Sequence, residues 1–191
     1  MALLTHSTSI GLWHEIIHEA EAECAIFLKE EIEAYLVFLL ARYMNQPHIL
    51  QHIIANDFLH ALQTKRRQQL VALQTVGDEC LLFSGLFPHL AEKRLVKISY
   101  FVHIGQAAYK HISQQNTDLY GMLAKQFVAL MDILQSIRHH AKQTIATADL
   151  LPLEAYDLWN ETNSQRALNL LQKYRGALPV TFDPDHPGST Q

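Results

Sequence analysis

Glycine and proline are scarce in this chain, seven and six residues of 191. Pro47, Pro88 and Pro152 fall between periodic stretches, and Pro179, Pro184 and Pro187 crowd the end. Proline lacks an amide proton and clashes with the preceding turn, so its exclusion from the periodic stretches is what helices require. No segment alternates apolar and polar residues, no Asn-Gly pair signals a hairpin, and no internal repeat is present. These absences argue against a β-rich fold.

Cysteine is nearly absent too. Cys24 and Cys80 both fall on apolar stretches, which predicts two buried reduced thiols rather than a disulfide framework. The longest uncharged apolar run, Ala34 to Ala41, is far short of the ~20 residues a membrane span needs. Met1 to Ser9 has neither a basic stretch nor an apolar one of the secretory kind, so a cytoplasmic location is expected. Positive charge is in deficit, 15 Lys+Arg against 19 Asp+Glu, and no nucleic-acid partner is expected. Nucleophile-elbow, P-loop, dinucleotide and C-x-x-C patterns are all missing, which lowers the expectation of an enzyme.

What the chain does have is helical periodicity. Ile10, Trp13, Ile17, Ala20 and Cys24 make one stripe of a helix from Ser9 to Cys24. A second helix, Lys29 to Met44, opens on Glu30, Glu31 and Glu33, where the helix dipole favours acids. Further helices are predicted over His48–Leu62, Thr64–Phe87, Leu90–Gln114, Asp118–Thr144 and Leu153–Tyr174. The expectation is an all-α, single-domain bundle of six or seven helices over residues 1–178, with a flexible tail over 179–191.

Leu36-Val37-Phe38-Leu39-Leu40, the block from Gly77-Asp78-Glu79-Cys80 through Gly85-Leu86-Phe87-Pro88, and Ser99-Tyr100-Phe101-Val102 carry a resemblance. Over roughly Trp13 to Gln135 the chain resembles a group of uncharacterised all-helical proteobacterial proteins. The resemblance implies an all-helical bacterial protein of the cytosol and no particular chemistry.

His14-Glu15-Ile16-Ile17-His18 matches H-E-x-x-H. Two histidines at i and i+4 share a helix face and can hold zinc, with the glutamate activating bound water. On a helical wheel His14, His18 and Glu21 lie together beside the apolar stripe, while Glu15 and Glu19 face away. No strand is predicted along which a peptide could align, no third ligand stands at a known spacing, and twelve histidines make chance matches easy.

A carboxylate-bridged pair of metals is a second pattern. Glu15-x-x-His18, Glu33, Asp57-x-x-His60 and Glu79 supply one set per successive helix, as di-metal bundles do, but in a shifted order, with Glu15 opposite Trp13 and Ile17 and a shorter Asp at 57. Asp57 also projects between Leu50, Ile53, Ile54 and Ala61. A carboxylate there needs a partner, with Arg42, Tyr100 and His103 as candidates. Tyr100 and His103 share a face of the fifth helix, and Gly105 would let a neighbouring helix or a flat ligand approach. The basic stretches Lys65-Arg66-Arg67 and Lys93-Arg94-Lys97 read as separate solvated helix ends.

Three functions follow in order. The first is a non-enzymatic helical interaction or scaffold protein, self-associating as a homodimer or holding another protein, because 49% of residues are hydrophobic and no catalytic set convinces. The second is a metal- or cofactor-binding bundle, ferritin-like or haem-pocket-like, with oxidoreductase chemistry. Its cofactor residues would be Asp57, His60, Tyr100 and His103, and its metal ligands His14, His18, Glu33 and Glu79. The third is a zinc-dependent hydrolase acting through His14-Glu15-x-x-His18. These residues specify no cofactor: the first expectation is that there is none, and a divalent metal is the alternative.

Overall fold

The computed structural model describes residues 9–45, 54–88, 91, 95–114, 118–142 and 150–174. Among these residues there are nine helices and no strand. They are α1 (Ser9–Cys24), α2 (Glu30–Asn45), α3 (Ile54–Gln63), α4 (Arg66–Leu86), α5 (Ile98–Ser113), α6 (Asp118–Lys125), α7 (Phe127–Lys142), α8 (Pro152–Thr162) and α9 (Gln165–Lys173). The all-α class is as expected and the helix count is higher. None of the described helices is long and apolar enough to cross a membrane. The proposed tail, residues 179–191, lies outside the described residues, as do Pro47 and the first six residues of the expected third helix.

The extra helices come from single-residue departures inside continuous apolar patterns. The stretch expected as one helix from Asp118 divides at Gln126 into α6 and α7. The hydrogen bonds Gln126 N–H to Met122 O and Leu130 N–H to Gln126 O carry it through the break. The last expected helix divides at Asn163, which takes φ 57, a left-handed conformation asparagine tolerates. Ser164 then caps α9, its hydroxyl accepting the Ala167 amide at 3.1 Å. The fifth expected helix starts late, because Leu95 sits at φ 54 and Lys97 is extended.

The core is built around α4. It pairs most extensively with α5 and also packs on α7 and α3. Phe83 of α4 stacks on Phe101 of α5 at 5.2 Å between ring centroids. These helices approach closely because glycine faces large side chains. A Cβ at Gly85 would lie 2.4 Å from Leu134 Cβ, and one at Gly105 would lie 2.4 Å from the Phe127 ring. The gap at Gly105 is therefore filled by a neighbouring helix and offers no space to a flat ligand. Against this centre α1 packs on both α7 and α2, while α8 and α9 pair with each other and α8 touches α5.

A five-residue turn, 25–29, joins α1 to α2 and makes them neighbours. The Ile26 amide donates to Glu21 O at 3.0 Å and the Ala25 amide to Ala22 O at 3.3 Å. With Ala25 at φ 53, this is a Schellman closure formed without glycine. It brings the polar flank of α1 against the acidic first turn of α2.

Candidate metal centre

One group of three metal-ligating side chains occurs among the described residues, and it joins α1 to α2: His14, His18 and Glu33. The histidines lie one turn apart on α1, with ring centroids 4.8 Å apart. His14 Nε2 and His18 Nε2 each lie 3.3 Å from the same oxygen, Glu33 Oε1. The three donor atoms lie within 4.8 Å of one another.

Glu33 is buried, at 8% exposure, whereas both imidazoles are more than half exposed. Its Oε1 has no hydrogen-bond donor aimed at it among the described residues, although two ring nitrogens are at ion-pair distance. A buried carboxylate oxygen normally takes a hydrogen bond. Zinc bonds of about 2.0–2.2 Å would put the ligand atoms of a tetrahedral site about 3.3–3.6 Å apart. Both histidine-to-glutamate separations have that length, and the widest separation in the group, 4.8 Å, is longer.

Glu21 completes the arrangement from behind. It is buried, at 5% exposure. Its Oε2 lies 3.0 Å from His18 Nδ1, and its Oε1 accepts the Leu28 amide at 2.7 Å. His14, His18 and Glu21 do share one flank of the helix, as the wheel predicts.

The other expected site residues are elsewhere. Glu79 is buried on α4 but does not join the ligand group. Asp57 is half-buried and His60 exposed on α3, while Tyr100 is half-buried and His103 exposed on α5. No hydrogen bond or ion pair joins these four to one another among the described residues. Of the basic stretches, Lys93 and Arg94 lie outside the described residues. Lys97 pairs with Glu161 at 2.6 Å and Asp157 at 3.2 Å.

The inward carboxylate that holds helices together is Asp78, not Asp57. It is 2% exposed. Its Oδ1 accepts the Tyr35 hydroxyl at 2.5 Å and the Tyr109 hydroxyl at 2.8 Å, and its Oδ2 pairs with Arg42. Arg42, a partner expected for Asp57, is thus engaged on α4. Burial pushes the Asp78 carboxyl up, opposed by the two phenols and the guanidinium. Burial and the adjoining carboxylate also push both phenols up, so they remain donors. This network binds α2, α4 and α5, and it reads as an anchor because every oxygen contact is to a fixed protein donor.

A second buried carboxylate, Asp132 of α7, holds the start of α9. Its Oδ1 accepts the Ser164 hydroxyl at 2.6 Å and its Oδ2 the Arg166 amide at 3.3 Å. Beside it runs a groove of about 510 Å³ lined by Glu23, Cys24, Asp132, His139 and Arg166 among others. Burial pushes the Cys24 thiol up to about 11. Little thiolate is then present at neutral pH, the opposite of what a nucleophilic cysteine needs. Cys80 is fully buried.

Neither Asp78 nor Asp132 was identified from sequence as a site, and each had a signal. Asp78 stands two residues before Cys80-Leu81-Leu82-Phe83, which is apolar on every side of the helix, with Glu79 between them, and Asp132 sits inside the run Phe127–Leu134. A polar residue in such a stretch has no solvent face to occupy. Compared with known proteins, the chain matches no family model, no curated protein and no solved structure.

Proposed function

We propose that the protein binds a divalent transition metal of the zinc type through His14, His18 and Glu33. The observation that carries this reading is Glu33 Oε1: a buried carboxylate oxygen, bare of hydrogen bonds among the described residues, at equal distance from two imidazole nitrogens. Imidazole and carboxylate together suit zinc and its first-row neighbours rather than calcium or magnesium. Two histidines and one glutamate form a donor set that catalytic zinc sites also use, with the fourth position left to water. The exposure of both imidazoles supports solvent access to that position.

The test is zinc titration of the chain without an added histidine tag, by chelator competition. One zinc per chain is expected, with each of His14→Ala, His18→Ala and Glu33→Gln weakening it at least about tenfold. Zinc at about 100 times its Kd should raise unfolding free energy by about 2.7 kcal/mol. Absence of binding, or wild-type binding by Glu33→Gln, overturns the reading.

The donor set lends support to a second reading, zinc-dependent hydrolysis with Glu15 as the base, since Glu15 follows His14 in the H-E-x-x-H order. Glu15→Gln would then retain metal and lose turnover of a hydrolysable substrate. Self-association comes behind both. The exposed large apolar residues, such as Phe27, Phe38, Val71, Leu95 and Leu153, come from different elements, and singly exposed residues of this kind are ordinary. Light scattering that returns a dimer would restore it.

A further inference from the structure

We propose that Glu21 is the positioning residue of this centre. It fixes the His18 tautomer that leaves Nε2 free for a metal, and it links metal occupancy to the turn after α1. The inference rests on the metal-binding reading above and concerns a residue outside the ligand group.

An ionised carboxylate only accepts hydrogen bonds. With Glu21 Oε2 at 3.0 Å from His18 Nδ1, the contact is favourable when Nδ1 carries the hydrogen. In the neutral ring the lone pair is then on Nε2, the atom 3.3 Å from Glu33 Oε1. Metal-bound histidines are commonly held this way, with the far nitrogen donating to a carboxylate.

The other oxygen gives Glu21 its second role. Oε1 accepts the Leu28 amide at 2.7 Å, and the Glu21 carbonyl accepts the Ile26 amide at 3.0 Å. One residue therefore closes the turn from both its backbone and its side chain. That turn includes Ala25 in the left-handed region at φ 53. A metal that immobilises His18 immobilises Glu21, and through it the Leu28 amide.

The competing account is that Glu21 is only a staple for the turn. Glu21→Gln separates the two. The glutamine carbonyl can still accept from Leu28, but its amide group then faces Nδ1 and donates to it. His18 is driven to carry its hydrogen on Nε2, which blocks ligation. The expected result is a 10- to 100-fold loss of zinc affinity, with the thermal midpoint of the metal-free protein unchanged. Nitrogen-15 shifts of His18 should reverse the assignment of the protonated ring nitrogen between wild type and variant. Zinc should slow exchange of the Leu28 amide in wild type.

Wild-type affinity and an unchanged tautomer in Glu21→Gln overturn the inference while leaving metal binding intact. Loss of affinity together with an equal loss of metal-free stability and Leu28 protection overturns it in favour of the staple. Absence of zinc binding in wild type overturns the metal reading itself and this inference with it, an outcome told apart by the wild-type titration alone.

Discussion

Asp132→Asn should change how stability depends on pH. Asp132 is 2% exposed, and burial pushes its carboxyl from an ordinary 3.8 up to about 6. The Ser164 hydroxyl, the Arg166 amide and the Arg166 charge oppose this only in part. Between those two values the folded protein holds a proton that the unfolded chain has released. Folding therefore loses about 1.4 kcal/mol per pH unit through the window. The contribution is fully present below about pH 4, is lost as pH rises through about 6, and totals about 3 kcal/mol.

Other groups run the opposite way over part of the range. Glu161 is held below its ordinary value by Lys97 and Ser99, so its contribution is present at higher pH and lost on acidification. The wild-type profile alone is thus a composite, and the difference between wild type and variant isolates Asp132. Asparagine keeps an oxygen for the Ser164 hydroxyl and removes the ionisation. Urea unfolding at several pH values should show Asp132→Asn gaining on wild type by about 3 kcal/mol between pH 4 and 7. Parallel profiles across that range would refute burial as the force acting on Asp132. The groove beside it, which Glu23, Cys24 and His139 also line, would then have to hydrate the carboxylate.

Two further predictions concern the core. Gly85→Ala should destabilise by about 1–3 kcal/mol, reversing the gain of up to about 1 kcal/mol that alanine brings in a helix, because its Cβ would meet Leu134 Cβ at 2.4 Å. A thermal midpoint at or above wild type would show that α4 and α7 can separate freely. Tyr109→Phe removes a buried donor to Asp78 and should cost about 1.5–3 kcal/mol in chemical unfolding, the range for a hydrogen bond to a charged group. A change below about 0.5 kcal/mol would mean that Tyr35 and Arg42 satisfy Asp78 without it.

Much of the fold was legible because its helices bury continuous stripes. The span Ser9–Cys24 coincides with α1, and the second helix is displaced by one residue. What escaped was where the chain leaves the helix without a sequence that demands it. Leu95 takes φ 54 at 94% exposure, and leucine has no preference for that conformation. Asn163 followed by Ser164 was a readable stop and cap, hidden by the apolar period running through it. Local pattern shows which residues share a face and does not show what that face meets.

The same distinction separates the two carboxylate readings. Asp57 attracted a buried role because on its own helix it projects between apolar residues, yet α3 leaves it half-buried. Asp78 lies within one turn of Cys80-Leu81-Leu82-Phe83, which is apolar on all sides, so α4 is already entering the core where Asp78 stands. Burial on every face is a stronger sequence signal than burial on one, since it holds whatever the helix order. The proposed metal ligands needed the order. Glu33 and Glu79 were equal candidates on pattern alone, but only Glu33 lies in the first turn of a helix joined to α1 by a turn of five residues. Sequential helices on a short connection are neighbours, and that rule favours Glu33 before any coordinate is known. Chain connectivity, added to periodicity, was the information that would have chosen His14, His18 and Glu33 together.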